Sequence, residues 1–301
     1  MKTCKRVFVF SLISAGGLCA FPGPLCAQGS NASPKRGLPN PFYALSNGAK
    51  DENHQTPESQ AALLKELGYD GMGYTPADGV GEMVQALDAS GLKLFAVYLG
   101  ANIDPDQPKY DPKWKAVLQS LKGRDTVVWV YIQSKKLKPS TPEGDPRAVE
   151  IVREIADLAE QSGLQVALYP HVWFWVERIE DAVRVARKVN RKNVGVTFNL
   201  CHWLKVDDPQ TLQARLALAK PYLFSVTING ADTKGGWDHL IQTLDRGAFD
   251  IYTFLKRLNE MGYTGPIGLQ CYGIKGDVRE NLGRSMAAWR KLCARMAAEP
   301  K

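Results

Sequence analysis

The residues VGVTFNLCHW at positions 194–203 carry the pattern on which the fold turns. Val194–Phe198 is short, uncharged and rich in β-branched and aromatic side chains, as a parallel strand buried on both faces requires. The run stops on Asn199, and His202 and Trp203 follow at once. A buried strand therefore delivers an amide, an imidazole and an indole to its C-terminal end.

Upstream and downstream the same grammar recurs: an apolar run, a loop, then a helical pattern. The other strand candidates are Phe42–Ser46, Gly71–Tyr74, Leu94–Leu99, Val127–Ile132, Val166–Tyr169, Phe224–Ile228 and Ile267–Tyr272. Helical periodicity falls at 57–67, 80–90, 111–121, 146–162, 177–189, 208–219, 249–261 and 278–297. Thr56 before Pro57 and Asp208 before Pro209 put a capping side chain ahead of a first-turn proline. Gly68, Gly91, Gly163 and Gly262 stand where four helices should stop. Eight such units predict an α/β fold, a single (β/α)8 TIM barrel over residues 39–297. A doubly wound open sheet is the competitor, but no G-x-G-x-x-G follows the first strand.

The chain has 301 residues, 45% hydrophobic and 23% charged, which excludes extended disorder, collagen and coiled coil. Lys2, Lys5 and Arg6 precede an apolar run at 7–21 and a small-residue end at Ala27. This predicts a signal peptide over 1–27 and a secreted or periplasmic mature protein. The run is shorter than the roughly 20 residues of a membrane span, so no stable membrane insertion is expected. Leucine precedes both Cys19 and Cys26, which argues against lipid attachment. Cleavage would remove three positive charges and no negative one, lowering the formal charge from +7 to +4. That leaves little attraction for nucleic acid. Residues 28–38 read as a flexible polar linker. Three cysteines remain beyond it (Cys201, Cys271 and Cys293), an odd number in a chain large enough to bury a core. Disulfides are therefore not the framework, although export makes one pair possible. The sequence carries no signal for oligomeric state.

In a barrel of this kind the active face lies at the C-terminal ends of the strands. There the sequence places Asn47, Tyr98, Tyr131, Tyr169, His171, Asn199, His202, Asn229, Gln270 and Tyr272, with Trp173, Trp175 and Trp203 close behind. Acids are nearly missing. Amides donate and accept hydrogen bonds, and aromatic faces stack on the apolar faces of sugar rings. The set suits a neutral small-molecule sugar or sugar derivative. A phosphosugar is disfavoured, because no basic cluster marks the strand ends.

The stretches ALYPH (167–171), GVTFNLCH (195–202) and IGLQ (267–270) resemble strands 5, 6 and 8 of the xylose isomerase-like sugar isomerase and epimerase barrels, over roughly residues 40–295. The resemblance implies isomerase or epimerase activity. In the catalytic members Glu, Asp, His and Glu on strands 5 to 8 hold a divalent metal, and the Asp lies three residues before a substrate-binding His. Carried onto this chain, those positions fall on Tyr169, Asn199, Asn229 and Gln270, and only His202 matches. No residue is assigned as a metal ligand, since a hard cation without a carboxylate is held weakly. No cofactor is expected, and a Mn, Zn or Mg ion remains the open exception.

Moving a proton next to a carbonyl needs a base, so His171 and His202 become the catalytic candidates. Tyr169, Trp173, Asn199, Trp203, Asn229, Gln270 and Tyr272 become the substrate-binding ones. Each has a plainer reading. His202 could be a satisfied core histidine, and His171 could pack against Trp173 and Trp175 or hold a softer metal. Asn199 and Gln270 could record drift in a dead enzyme, and the tryptophans could be rim packing under a loop. The loop with Asp232, Lys234, Trp237, Asp238 and His239 is either a closing segment that supplies a base or a solvated turn. By strand alternation, Cys201 and Cys271 should face the helices as packing residues. Two functions follow: a carbohydrate-active enzyme working by proton transfer, or a non-catalytic sugar-binding protein that lost its metal site.

Overall fold

A computed structural model describes residues 37–298. The expected signal peptide and nearly all of the linker lie outside the described residues. Eight parallel strands close into one barrel in sequence order, each pairing with the next and β8 with β1. They are β1 Phe42–Leu45, β2 Gly71–Tyr74, β3 Lys93–Asn102, β4 Val127–Gln133, β5 Gln165–Leu168, β6 Val194–Asn199, β7 Leu223–Ile228 and β8 Ile267–Leu269. The helices are α1 Pro57–Leu67, α2 Val80–Ala89, α3 Lys113–Ser120, α4 Asp145–Glu160, α5 Ile179–Val189, α6 Leu200–Val206, α7 Leu212–Ala219, α8 Trp237–Leu240, α9 Ile251–Glu260 and α10 Val278–Ala298.

Local chemistry sets the helix ends. The Thr56 hydroxyl accepts the Ser59 N–H at 3.2 Å, and Pro57 opens α1 with φ already helical. Gly68 ends α1 at φ +88°, a left-handed position that costs glycine nothing. Asp208 caps Gln210, but the turn it starts is 3-10, and α7 begins only at Leu212.

Two apolar layers result. An outer layer joins the strands' outward side chains to the helices; an inner cluster fills the barrel with Tyr43, Leu45, Phe95, Trp129, Ala167 and Tyr169. Glycines make room for the aromatics. A Cβ on Gly268 would lie 2.8 Å from Tyr43 Cζ, and one on Gly73 would lie 2.9 Å from Tyr43 Cε2.

Three differences from the sequence reading affect the site. Strand β3 runs on to Asn102, because Gly100–Asn102 continue to pair with Tyr131–Gln133. β8 stops at Leu269, although the Gln270 N–H still reaches the Ile228 carbonyl at 2.8 Å. β6 passes directly into α6, so Cys201 sits in a first helical turn where strand alternation does not apply. It is nonetheless fully buried, and burial pushes its thiol up to about 12. Burial does the same to Cys271, whose Sγ packs 3.5 Å from the Leu45 carbonyl. Cys201 and Cys271 are both free thiols. No helix among the described residues is long and apolar enough to cross a membrane.

Candidate active site

A cleft of about 170 Å³ opens at the C-terminal ends of the strands. Its floor is aromatic: Tyr169 lies 5.1 Å from Trp129 and 4.9 Å from Tyr98, ring centre to ring centre. His171 and His202 form one wall, and Asn47, Thr75, Gln270 and Tyr272 also line the space. Trp237 and Ile241 come from the β7–α9 loop. Neither an acid nor a lysine nor an arginine is among the lining residues.

The two histidine rings lie 4.0 Å apart, supplied by neighbouring strands. His171 Nδ1 is 2.8 Å from the Val172 carbonyl, which can only accept, so that nitrogen carries the proton and Nε2 keeps its lone pair. Burial holds the His171 pKa below the usual histidine value, against the opposing pull of that carbonyl. His202 is held well below it, first by burial and then by the nearby His171. Both are therefore neutral near pH 7. Buried His202 Nδ1 has no hydrogen-bond partner.

The amides are locked by protein hydrogen bonds. Gln270 Oε1 accepts the backbone N–H groups of Cys271 and Tyr272, both at 3.1 Å, and the Asn47 amide at 3.4 Å. Asn199 Oδ1 accepts the Thr227 hydroxyl, and its Nδ2 donates to the Pro170 carbonyl at 3.2 Å. Burial raises the Tyr169 phenol far above its ordinary range, while hydrogen bonds from Asn199 and Gln270 act in the opposite direction.

The sequence candidates separate into two groups. Tyr169, His171, His202, Gln270 and Tyr272 converge on the cleft. Asn199 lies buried just beneath it, bonded as described. Asn229 is fully buried and does not line the cleft; its Nδ2 donates to Gly230 and Leu240 carbonyls at 2.8 and 2.6 Å, tying down the loop that carries Trp237. Trp203 packs in the outer layer against Phe198 and Phe249, and Trp175 is buried there beside Gly144. Of the three tryptophans near strands 5 and 6, only Trp173 reaches the mouth. It is 65% exposed at φ +69° and stands edge-to-face on Trp237 at 6.0 Å.

The loop after β7 is neither of the expected alternatives in full. It carries α8, puts Trp237 on the cleft 5.6 Å from His202, and keeps Asp238 and His239 exposed. His239 is bonded to Asp232 at 2.9 Å, which raises its pKa. Thr75, Trp129 and Ile241 were not singled out from the sequence. The inward alternation of Val127, Trp129 and Tyr131 was a legible signal for Trp129; Ile241 had none.

A family model of the xylose isomerase-like TIM barrel matches residues 61–292, and the chain belongs to that family. A ketose 3-epimerase of Arthrobacter globiformis is 25% identical over 187 residues, spanning 59% of this chain and 59% of that protein. An L-ribulose 3-epimerase structure superposes with TM-score 0.69 at 13% identity, covering 87% of this chain and all of the other. A xylose isomerase-like barrel from Mycobacterium smegmatis, solved with magnesium, superposes at TM-score 0.63 and 17% identity, over 86% and 98% of the chains.

A divalent cation does not fit the corresponding residues here. Asn199 Oδ1 and Gln270 Oε1, the oxygens a cation would need, are already taken by donors. Asn229 Oδ1 and His202 Nδ1 are without partners but carry no charge. No group of three or more His, Cys, Asp or Glu side chains placed to hold a metal occurs among the described residues.

Proposed function

We propose that this protein is an exported, carbohydrate-active enzyme that moves a proton beside the carbonyl of a free sugar or sugar derivative. The observation that carries this reading is the pair of neutral imidazoles, 4.0 Å apart, in an uncharged cleft at the barrel's C-terminal face. His171 Nε2, with its lone pair free, is the base. His202 relays the proton or holds a sugar hydroxyl. Trp237, Trp173 and Tyr272 offer aromatic faces at the mouth. The family's named activities support a sugar substrate, and the basic, apolar start of the chain supports export.

His171 follows β5 and His202 lies in α6 directly after the adjacent β6, whereas Asn47, Thr75 and Gln270 come from the other side. A proton taken by His171 is therefore returned on the same face. That arrangement favours a shift between aldose and ketose over inversion at one carbon.

The test is NMR of the purified protein with a panel of free aldoses and ketoses in D2O. Deuterium entry next to the carbonyl, lost in the His171→Asn, His202→Asn double variant, is the expected result. Full exchange in the double variant would overturn the assignment. Sugar binding without exchange would indicate a sugar-binding protein instead.

A further inference from the structure

Proton removal beside a carbonyl leaves negative charge on oxygen, and something must stabilise it. We propose that Tyr169, supported by Gln270 and Asn199, is that group: a buried cluster of neutral hydrogen-bond donors that binds an anionic oxygen without a cation. The inference rests on the proton-transfer reading and adds a catalytic residue to it.

The amide dipoles point the same way. An atom that accepts two backbone N–H groups must be oxygen, so Gln270 Oε1 is held away and its Nε2 is the end left to offer. The atom of Asn199 that meets the Pro170 carbonyl must be nitrogen, and its oxygen is capped by Thr227. Each amide thus keeps an N–H to present, and both act on the Tyr169 phenol as hydrogen-bond partners that oppose the effect of burial. In the proposed arrangement the phenol oxygen would accept from them, and its own O–H would be left for a ligand. Tyr169 is 3% exposed, fixed between Tyr98, Trp129 and His202, and lines the cleft. A cation placed here would meet N–H and O–H hydrogens; an oxyanion would meet hydrogen bonds already paid for by the fold.

The step balances simply. The C–H bond beside the carbonyl breaks and its proton goes to His171 Nε2. The electron pair forms a C=C bond, and the carbonyl oxygen becomes an oxyanion hydrogen-bonded by Tyr169. The hydroxyl proton on the carbon that lost its hydrogen then passes to the oxyanion, the oxygen left behind forms the new C=O, and the C=C pair takes the proton back from His171 at the former carbonyl carbon.

The probe is D-threonohydroxamate, a planar four-carbon analogue of an enediolate, titrated by tryptophan fluorescence into protein shown metal-free by elemental analysis. Binding unchanged by chelator, and weakened roughly 10²–10³-fold in Tyr169→Phe, is expected, the range typical for one oxyanion donor. Tyr169→Phe should keep its unfolding temperature within a few degrees, and Gln270→Glu should bind the probe less well despite its matching shape. No binding to metal-free protein, binding restored only by Mn2+ or Zn2+, or indifference to Tyr169→Phe would each overturn the proposal. Deuterium exchange into sugars is read separately. Probe binding without exchange leaves the donor cluster standing and removes the proton-transfer reading.

Discussion

His171 owes its proposed role to one contact. Because the Val172 carbonyl fixes the proton on Nδ1, Nε2 is basic toward the cleft, and burial keeps the ring neutral to lower pH than in water. The proton-transfer rate is therefore expected to fall only below about pH 6.5, the ordinary histidine value. It should stay level toward pH 10, because burial raises the Tyr98 and Tyr169 phenols. A pH profile of deuterium exchange checks this. Among the tryptophans the expectations divide by burial. Trp173→Ala should cost ligand about 0.5–1.5 kcal/mol of binding, the value of one aromatic stack, with an unchanged unfolding temperature. Trp175→Ala, in contrast, empties a buried site beside Gly144 and should cost about 3–5 kcal/mol of stability in denaturant unfolding.

At the level of elements, the barrel interior is filled across strands rather than along them. Tyr43 of β1 takes the space that Gly73 of β2 and Gly268 of β8 leave free. Gly268→Ala should therefore destabilise by about 1–3 kcal/mol, measured by urea titration, since the ring has no room to retreat. Asn229 links β7 to α8 through the Leu240 carbonyl at 2.6 Å. Asn229→Ala should leave buried carbonyls unpaired, cost about 1–3 kcal/mol, and raise amide exchange across 231–241. The strands were legible as apolar runs, and α1 through Thr56, Pro57 and Gly68. The short α6 and α8 were not, because a helix of one or two turns shows no usable periodicity and forms only where its neighbours hold it.

For the molecule as a whole, the buried histidines tie stability to pH. Both have folded pKa values below the unfolded one, so the unfolded chain takes up protons first as pH falls. Their contribution is complete above about pH 6.5 and is lost as pH drops toward the folded values. The unfolding temperature should accordingly fall below pH 6.5, and His202→Asn should flatten that part of the curve. Salt-bonded carboxylates such as Asp207 act at lower pH, where Arg215 opposes their protonation.

Alternation of apolar and polar residues, glycine stops and proline starts are local properties, and they were enough to specify the eight-unit barrel and to point to Tyr169, His171, His202 and Gln270 at its rim. Which rim residues meet is not local. Trp203 and Trp175 follow their strands within a few residues, as Trp173 does, yet they belong to the outer layer, because the turn after each strand sets which way the next side chain faces. The same holds for Asn199. For Asn199 and Gln270 composition shows only that charge is missing; the Asn199 dipole is set by Pro170 and Thr227 on neighbouring elements, and the Gln270 dipole by the backbone of the next two residues, Cys271 and Tyr272. Barrel closure brings Thr227 and Pro170 to Asn199, which no spacing along the chain encodes, whereas Gln270 is turned by the backbone bend that follows β8.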